Sequence, residues 1–418
     1  MDHKSIIIGL TGSFGSGCTS LSAVLERKFN FKRLSLSEAV KTEAKRRGLS
    51  LTRENLQDVG DSLRQEHGLG HLAELARKKA GRGLRFAFDG IRNPAEIDVF
   101  RNYRNFYLVA MQASKEARWH RLLKKEVYTL TKRDDFDRDD RRDQDERFIH
   151  GQNVVACVNT ADILFANEDY YETPAILKAN LQSRFARYVD LITKQEDKSP
   201  TTDETMMSIA SSLALQSSCI KRGVGAVLCN KDNQIVFAAC NEVPVGNPTC
   251  FQRYRGCYRD LLRDQQQKTF VKSHLYCPQC GGKYEILKDM ERICVNCNTP
   301  LTKFFEKAKM LDKCRAIHAE EAVLLGAEAA DTGGGVLYTT TSPCMQCAKR
   351  AASARLSQVV YIDPYPEEEG LKILKDAGVE MVQFEGIKGQ AFHRVYNWQQ
   401  AIREAEADRL REEEEEER

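Results

Sequence analysis

His318-Ala-Glu320, followed by Pro343-Cys344-Met-Gln-Cys347, constrains the fold of this chain more than any other feature. Two separate segments must bring one imidazole and two thiols to a single point. That donor set suits Zn²⁺ and leaves a fourth tetrahedral position for water. A cation held there lowers the pKa of the water and makes a nucleophile available near neutral pH. Residues 313–330 read as one helix from their Ala and Leu spacing. Glu320 then points away from the ligand direction and can carry protons over the water. Glu321 is the weaker candidate, roughly 100° further around the helix. Gly335–Thr341 reads as a strand that Pro343 stops, and Cys344 opens a helix through about Ala354. A helix N-terminus favours thiolate at both cysteines. The bland alternative is a degenerate structural metal site.

Fourteen cysteines in 418 residues raise the question of compartment. The apolar run Ile6–Leu10 is too short for a signal peptide, and no stretch approaches the roughly 20 apolar residues of a membrane span. Reduced, metal-binding thiols in a soluble cytoplasmic protein are therefore expected, without a membrane partner. The net charge of +3, from 63 basic and 60 acidic residues, gives no global field for nucleic acid.

The length suggests two domains, and the strand–helix alternation makes both α/β. In residues 1–195 four buried strands are expected at 4–10, 84–88, 105–111 and 161–165, forming a parallel sheet closed by a helix at 173–193. Gly12-Ser-Phe-Gly15-Ser-Gly17-Cys18-Thr19 follows the first strand and opens a helix, the context of a phosphate-cradling P-loop. Cys18 stands where that loop carries its lysine, which weakens the case for phosphoryl transfer. Thr19 is a candidate Mg²⁺ ligand, Asp89 a candidate for the ion's water shell, and Arg64, Arg92, Arg118 and Arg121 candidate phosphate ligands. Kinase, nucleotide-binding and scaffold readings all stay open. The charged run 132–147 reads as a solvated helix or loop, or as a lid over phosphates.

The linker is placed at 196–203 and the second domain at 204–400, with an acidic tail at 401–418. Thr201 or Asp203 is expected to cap a helix through Cys219. Strands follow at 223–229, 234–241, 335–341, 359–363 and 379–384. Cys277-Pro-Gln-Cys280 and Cys294-Val-Asn-Cys297 form two knuckles thirteen residues apart in an insertion at 275–300. Four sulfurs close a shell, so this second zinc is structural. The insertion either staples a loop or shapes substrate entry or a subunit contact. Cys250, Cys257 and His274 have no diagnostic spacing, and Cys219, Cys229 and Cys240 read as core.

The C-terminal half resembles a deoxycytidylate deaminase through Arg222-Gly-Val-Gly-Ala-Val227, Asn241-Glu-Val-Pro244, His318-Ala-Glu320, Pro343-Cys344-x-x-Cys347 and Tyr361-Ile-Asp-Pro-Tyr365. With the P-loop NTPase-like, nucleotide-kinase-like N-terminal half, the chain resembles bacterial fused dCMP/dCTP deaminases of anti-phage defence. The resemblance implies a cytidine-deaminase-like α/β/α domain carrying a zinc-ribbon insertion, and hydrolytic conversion of deoxycytidine nucleotides to deoxyuridine nucleotides. It implies Glu320 as proton carrier, Asn241 at the sugar hydroxyl, and Tyr361 and Tyr365 near base or phosphate. It also implies homo-oligomers, an allosteric nucleotide and an RNA or protein regulator. Ala354–Ser357 departs from the family where a Gly is common, and the ribbon is not general to it. The rivals are a deaminase of bases in RNA or single-stranded DNA, for which Phe251–Arg263 has the basic-aromatic flavour, and an inert nucleotide sensor.

Overall fold

The computed structural model describes residues 5–128, 132–144, 149–168, 174–193, 199–273, 275–286, 292–301, 311–328, 332–364, 369–392, 394–396, 409 and 411. The chain divides into two compact units, Met1–Ser208 with Gln383–Arg418, and Ile209–Val382. Both are α/β.

The first unit is built on a six-stranded sheet. Its parallel strands are β1 (Ile6–Thr11), β2 (Lys32–Ser35), β3 (Arg85–Ile91), β4 (Phe106–Gln112) and β5 (Ile163–Ala166), in the order β5-β4-β1-β3-β2. Strands β1 and β4 are apolar on both faces because helices cover both sides. Those helices are α1 (Cys18–Phe29), α2 (Ser37–Arg46), α3 (Arg53–His67), α4 (His71–Ala80), α5 (Pro94–Arg101), α6 (Lys115–Lys124), α7 (Arg133–Gln144), α8 (Val154–Asn159) and α9 (Pro174–Thr193). The register Leu10↔Asp89 sets the end of β3 beside the glycine loop after β1. Strand β2 escapes sequence reading because it is a short, half-exposed edge strand that carries two cations.

The second unit starts within α10 (Thr202–Ala214), which ends well before Cys219. Its sheet has the order β12-β11-β10-β6-β7, with β6 (Gly225–Cys229), β7 (Ile235–Cys240), β10 (Val336–Thr341), β11 (Gln358–Asp363) and β12 (Glu380–Gln383). β6 is antiparallel to β7 and β10, whereas β10 and β11 are parallel. Helices α11 (Cys250–Tyr254), α12 (Tyr258–Ser273), α13 (Ala319–Gly326), α14 (Met345–Ser353) and α15 (Glu369–Asp376) complete it, with a small hairpin of β8 (Tyr284–Ile286) and β9 (Arg292–Cys294). The core joins Ala226 and Leu228 to Ala319, Val323, Leu337, Ala348 and Val359. A Cβ on Gly225 would stand 1.9 Å from the Ala210 carbonyl oxygen, so glycine is what lets α10 lie against β6.

Residues 383–396, assigned by sequence to the second domain, pack with the first instead. β13 (Gly386–Ile387) adds antiparallel to β5, and Ile387, Ala391 and Val395 enter the first core. Glu204 explains the attachment. It forms a capping box with Thr201, accepts two 2.8 Å bonds from Arg187 on α9, and receives the Ile387 amide and the Tyr396 hydroxyl at 2.9 Å each. One fully buried carboxylate thus ties α9, α10 and the returning segment together. Thr201, not Asp203, is the cap. The tail beyond residue 396 lies outside the described residues apart from 409 and 411. No described helix is long and apolar enough to cross a membrane.

Burial alone would raise the Glu204 carboxyl, but Arg187 and the amides of Ile387 and Thr201 hold it below the usual range. A depressed carboxylate contributes stability above its unfolded pKa of about 4.3, and that stability fades as pH falls through the lower folded value. Glu204→Ala, which takes the acceptor from the half-buried Arg187 guanidinium and from the Ile387 amide, should cost about 2 kcal/mol at pH 7 in denaturant unfolding. An unchanged midpoint would contradict this role.

Candidate active site

His318 is not inside a helix. It is the N-cap of α13, in extended backbone geometry, and its carbonyl accepts the Ala322 amide at 2.8 Å. The sequence-expected helix at 313–330 is therefore shortened to Ala319–Gly326, preceded by a 3₁₀ turn at Leu311–Lys313. Two backbone bonds between Glu242 and Ile317, 3.2 and 2.9 Å long, fix the residue just before the His. The Asn241-Glu-Val-Pro244 segment thus acts first through the main chain, by placing His318.

Cys344 caps α14 in the same manner, and Cys347 lies one turn into that helix. His318 Nδ1 stands 3.5 Å from Cys344 Sγ and 3.4 Å from Cys347 Sγ, and the three donor atoms lie within 4.8 Å of one another. One nitrogen and two sulfurs at that spacing fit a single zinc ion with an open fourth position. Without metal, bonds from Cys314 and then Cys344 push the His318 imidazole up to about 10. A bond from Cys347 pulls the Cys344 thiol down to about 4, while Cys347 is pushed up by Cys344. Cys314, which touches His318, gave no signal in the sequence because its spacing to the other ligands fits no metal pattern.

Glu320 is 4% exposed, and burial pushes its carboxyl up to about 7. It shares a cavity of about 80 Å³ with His318, Cys344, Asn241, Thr341 and Ser342. Glu321 instead pairs with Arg350 at 2.9 Å. The Asn241 carboxamide accepts the Val224 amide at 2.7 Å and donates to the Arg222 carbonyl at 3.0 Å, so it shapes the cavity wall. Tyr361 lies on β11 beside Thr339 and is not among the cavity residues; Tyr365 is outside the described residues. Cys219, read as core, lines this cavity and a smaller neighbour of about 30 Å³ that Cys250, Cys257 and Cys314 also line. His274 is outside the described residues.

Cys277, Cys280, Cys294 and Cys297 converge as well. Three of their sulfur pairs lie 3.4–3.7 Å apart, and all four sulfurs are within 4.8 Å of one another. The β8–β9 hairpin joins the knuckles. A closed four-thiolate shell fits a structural zinc.

The N-terminal loop adjoins a cavity of about 730 Å³, lined by Gly12 to Ser20, Asp89, Arg92, Arg121 and residues of α6 and α9. Gly17, at φ 114°, caps α1, and a Cβ there would sit 2.4 Å from Asn167 Nδ2. Thr19 is exposed in the cavity, and Asp89 accepts from Arg33 at 3.2 Å. Desolvation pushes the Cys18 thiol up to about 11, and it donates to the Thr11 carbonyl, so this position brings no charge.

The arginines proposed for phosphate are largely engaged elsewhere. Arg64 is buried against Glu96 (2.9 Å) and Asp61 (3.3 Å), and Arg118 grips Asp140 at 2.6 and 3.1 Å; neither lines the cavity. Arg92 and Arg53 share Asp143, and Arg121 donates to the carbonyls of Gly15, Ser16 and Asn167. The run 132–147, where it is described, is a helix with one face in solvent, at Asp134, Arg138 and Arg141. α7 turns Phe136, Asp139, Asp140 and Asp143 inward, and Asp143 accepts the Phe14 amide of the glycine loop at 3.0 Å.

Elemental analysis should find one zinc per ligand set. Cys344→Ser and Cys294→Ser should each lose one equivalent, while Glu320→Gln retains both. Full zinc content in either serine variant would refute the corresponding site.

Residues 200–363 match the family model for the cytidine and deoxycytidylate deaminase zinc-binding region. The deoxycytidylate deaminase of Schizosaccharomyces pombe is 24% identical over 380 residues, covering 90% of this chain and 97% of the yeast protein. That of Saccharomyces cerevisiae is 27% identical over 187 residues, 44% of this chain and 45% of the relative. A UPF0200 protein of Methanocaldococcus jannaschii is 32% identical over 124 residues, 29% of this chain and 62% of the relative. The three donor residues His318, Cys344 and Cys347, together with Glu320, all lie inside the segment that matches this family model.

Proposed function

We propose that the second unit hydrolyses the 4-amino group of a deoxycytidine nucleotide, dCMP or dCTP, giving the deoxyuridine nucleotide and ammonia. The observation that carries this reading is Glu320, buried in one cavity with the His318–Cys344–Cys347 donor set. A zinc ion held by those three residues would supply Lewis acidity that makes water nucleophilic near neutral pH. Glu320 takes a proton from the attacking water as its oxygen bonds to ring C4, and delivers it to N3. It then takes the proton of the new C4 hydroxyl and hands it to the departing N4, as the C4–N4 bond breaks and the C4 carbonyl forms. A carboxyl near pH 7 can both accept and donate under working conditions. Asn241 holds the Arg222–Val224 wall, and its second amide N–H is the group for a sugar hydroxyl.

The first unit binds a nucleotide without transferring phosphate. Loop amides at the N-terminus of α1 would receive the phosphates, Thr19 would ligate Mg²⁺ and Asp89 would hold its water shell, a reading supported by their lining one cavity. The uncharged Cys18 speaks against transfer. Nucleotide depletion in anti-phage defence, control by an allosteric nucleotide, RNA or protein, and homo-oligomerisation are what the family resemblance adds.

Ammonia release from dCMP, dCTP, CMP and a cytosine-containing oligonucleotide tests the reading, with ATP and Mg²⁺ added in a parallel series. The free deoxynucleotides should turn over, and Glu320→Gln should lower that turnover roughly 100- to 10,000-fold. Turnover of the oligonucleotide alone would overturn the substrate, and full activity in Glu320→Gln the mechanism.

A further inference from the structure

The basic-aromatic segment after Asn241 does not form one cationic stripe. Arg253 lies over the Tyr254 ring at 5.7 Å, Arg255 over Phe251 at 5.7 Å, and Arg263 pairs with Asp260 at 2.7 Å. Only Arg259 of this segment lines the cavity that holds His318, Glu320 and Cys344. It does so from the first turn of α12, and that turn is anchored. Tyr254 and Tyr258 stack at 4.9 Å, and the Arg315 guanidinium lies 5.7 and 6.0 Å from their centroids and donates to the Tyr254 hydroxyl. Arg315 is three residues before His318. The clasp therefore fixes α12 to the strand segment that presents the metal ligand, and Arg259 keeps a set position relative to the reacting centre.

Two other cations line the cavity, Lys221 and Arg222. Both are exposed; Lys221 pairs with Asp260, whose carboxylate Arg259 also feels, and Arg222 pairs with Asp363 at 3.3 Å. Arg259 is half-buried. A partly desolvated guanidinium interacts more strongly with an anion than an exposed ammonium does, and its planar fork suits phosphate.

We infer that Arg259, carried into the cavity by α12, binds the 5′-phosphate of the substrate and makes the second unit select a nucleotide over its nucleoside. This rests on the deaminase reading and adds a residue to it. Phosphate lies at one end of the substrate and the reacting C4 at the other. Loss of Arg259 should therefore weaken binding and leave the chemistry intact.

Steady-state kinetics with dCMP and deoxycytidine, and calorimetric titration of both into the zinc-loaded full chain, test the inference. Arg259→Gln should raise KM and Kd for dCMP roughly ten- to a hundredfold, the worth of one charged hydrogen bond. kcat for dCMP, and kcat/KM for deoxycytidine, should stay within about threefold. Arg259→Lys, which keeps the charge without the fork, should fall between, at an unchanged unfolding temperature. An equal loss for dCMP and deoxycytidine would assign Arg259 a structural role and overturn the inference, as would an unchanged KM for dCMP. If wild-type protein releases no ammonia from either compound, the deaminase reading fails. The calorimetric comparison of dCMP with deoxycytidine then still decides the phosphate contact.

Discussion

Two helix N-termini meeting at one point are the constraint on which the second unit depends. His318 caps α13 and Cys344 caps α14, so both helices direct their positive ends at the same small volume. Such an arrangement stabilises thiolate and leaves little freedom in the three donor atoms. It also dictates the surroundings. β10 must end at Thr341 so that Ser342-Pro343 can turn the chain into α14, and the Glu242–Ile317 bridge must hold the approach to α13. Glu320 needs no separate positioning, because a residue in the first turn of a helix capped by His318 is carried to the same place.

The first unit shows a different economy of charge. Its glycine loop has positive-φ glycines opening a helix, yet the nearby arginines are turned to internal use, while Lys124, Lys125 and Lys178 line the cavity. Asp143 takes Arg53, Arg92 and the Phe14 amide, and Asp140 takes Arg118. Phe14, Trp119, Tyr128 and Phe136 pack around these pairs. The loop is thereby held rigidly from behind, and its amides face an open cavity with no charge at Cys18.

Much of this was legible in the chain. The His-x-Glu and Cys-x-x-Cys spacing named the ligands, because metal coordination leaves few residue types and fewer spacings. The two knuckles from Cys277 to Cys297 were readable for the same reason. Apart from the edge strand β2, the parallel strands of both sheets announced themselves as apolar runs. What escaped reading was charged or short. Helix α7 repeats Phe136, Asp139/Asp140 and Asp143 at helical spacing, but a buried face made of aspartates is invisible to a search for apolar periodicity. The return of residues 383–396 to the first sheet rests on a two-residue strand and on one carboxylate, Glu204, nearly two hundred positions away. Arg259 looked like one of several basic residues until the fold separated it from its neighbours. His318 was placed inside a helix because Ala-rich sequence continues on both sides, whereas the bridge to Glu242 ends the extended backbone at that residue.

The account stands on Glu320 and the three-ligand centre acting together on a pyrimidine ring. The most direct measurement is equilibrium binding of a deoxynucleotide of pyrimidin-2-one. That ring can add water across N3–C4 but has no amine to lose, so its hydrate resembles the transition state. Zinc-loaded wild-type protein should bind it at least 100-fold more tightly than dCMP. In Glu320→Gln that advantage should vanish while affinity for dCMP is kept. Equal affinity for the two nucleotides in the wild-type protein, or an advantage that survives in Glu320→Gln, would contradict the account.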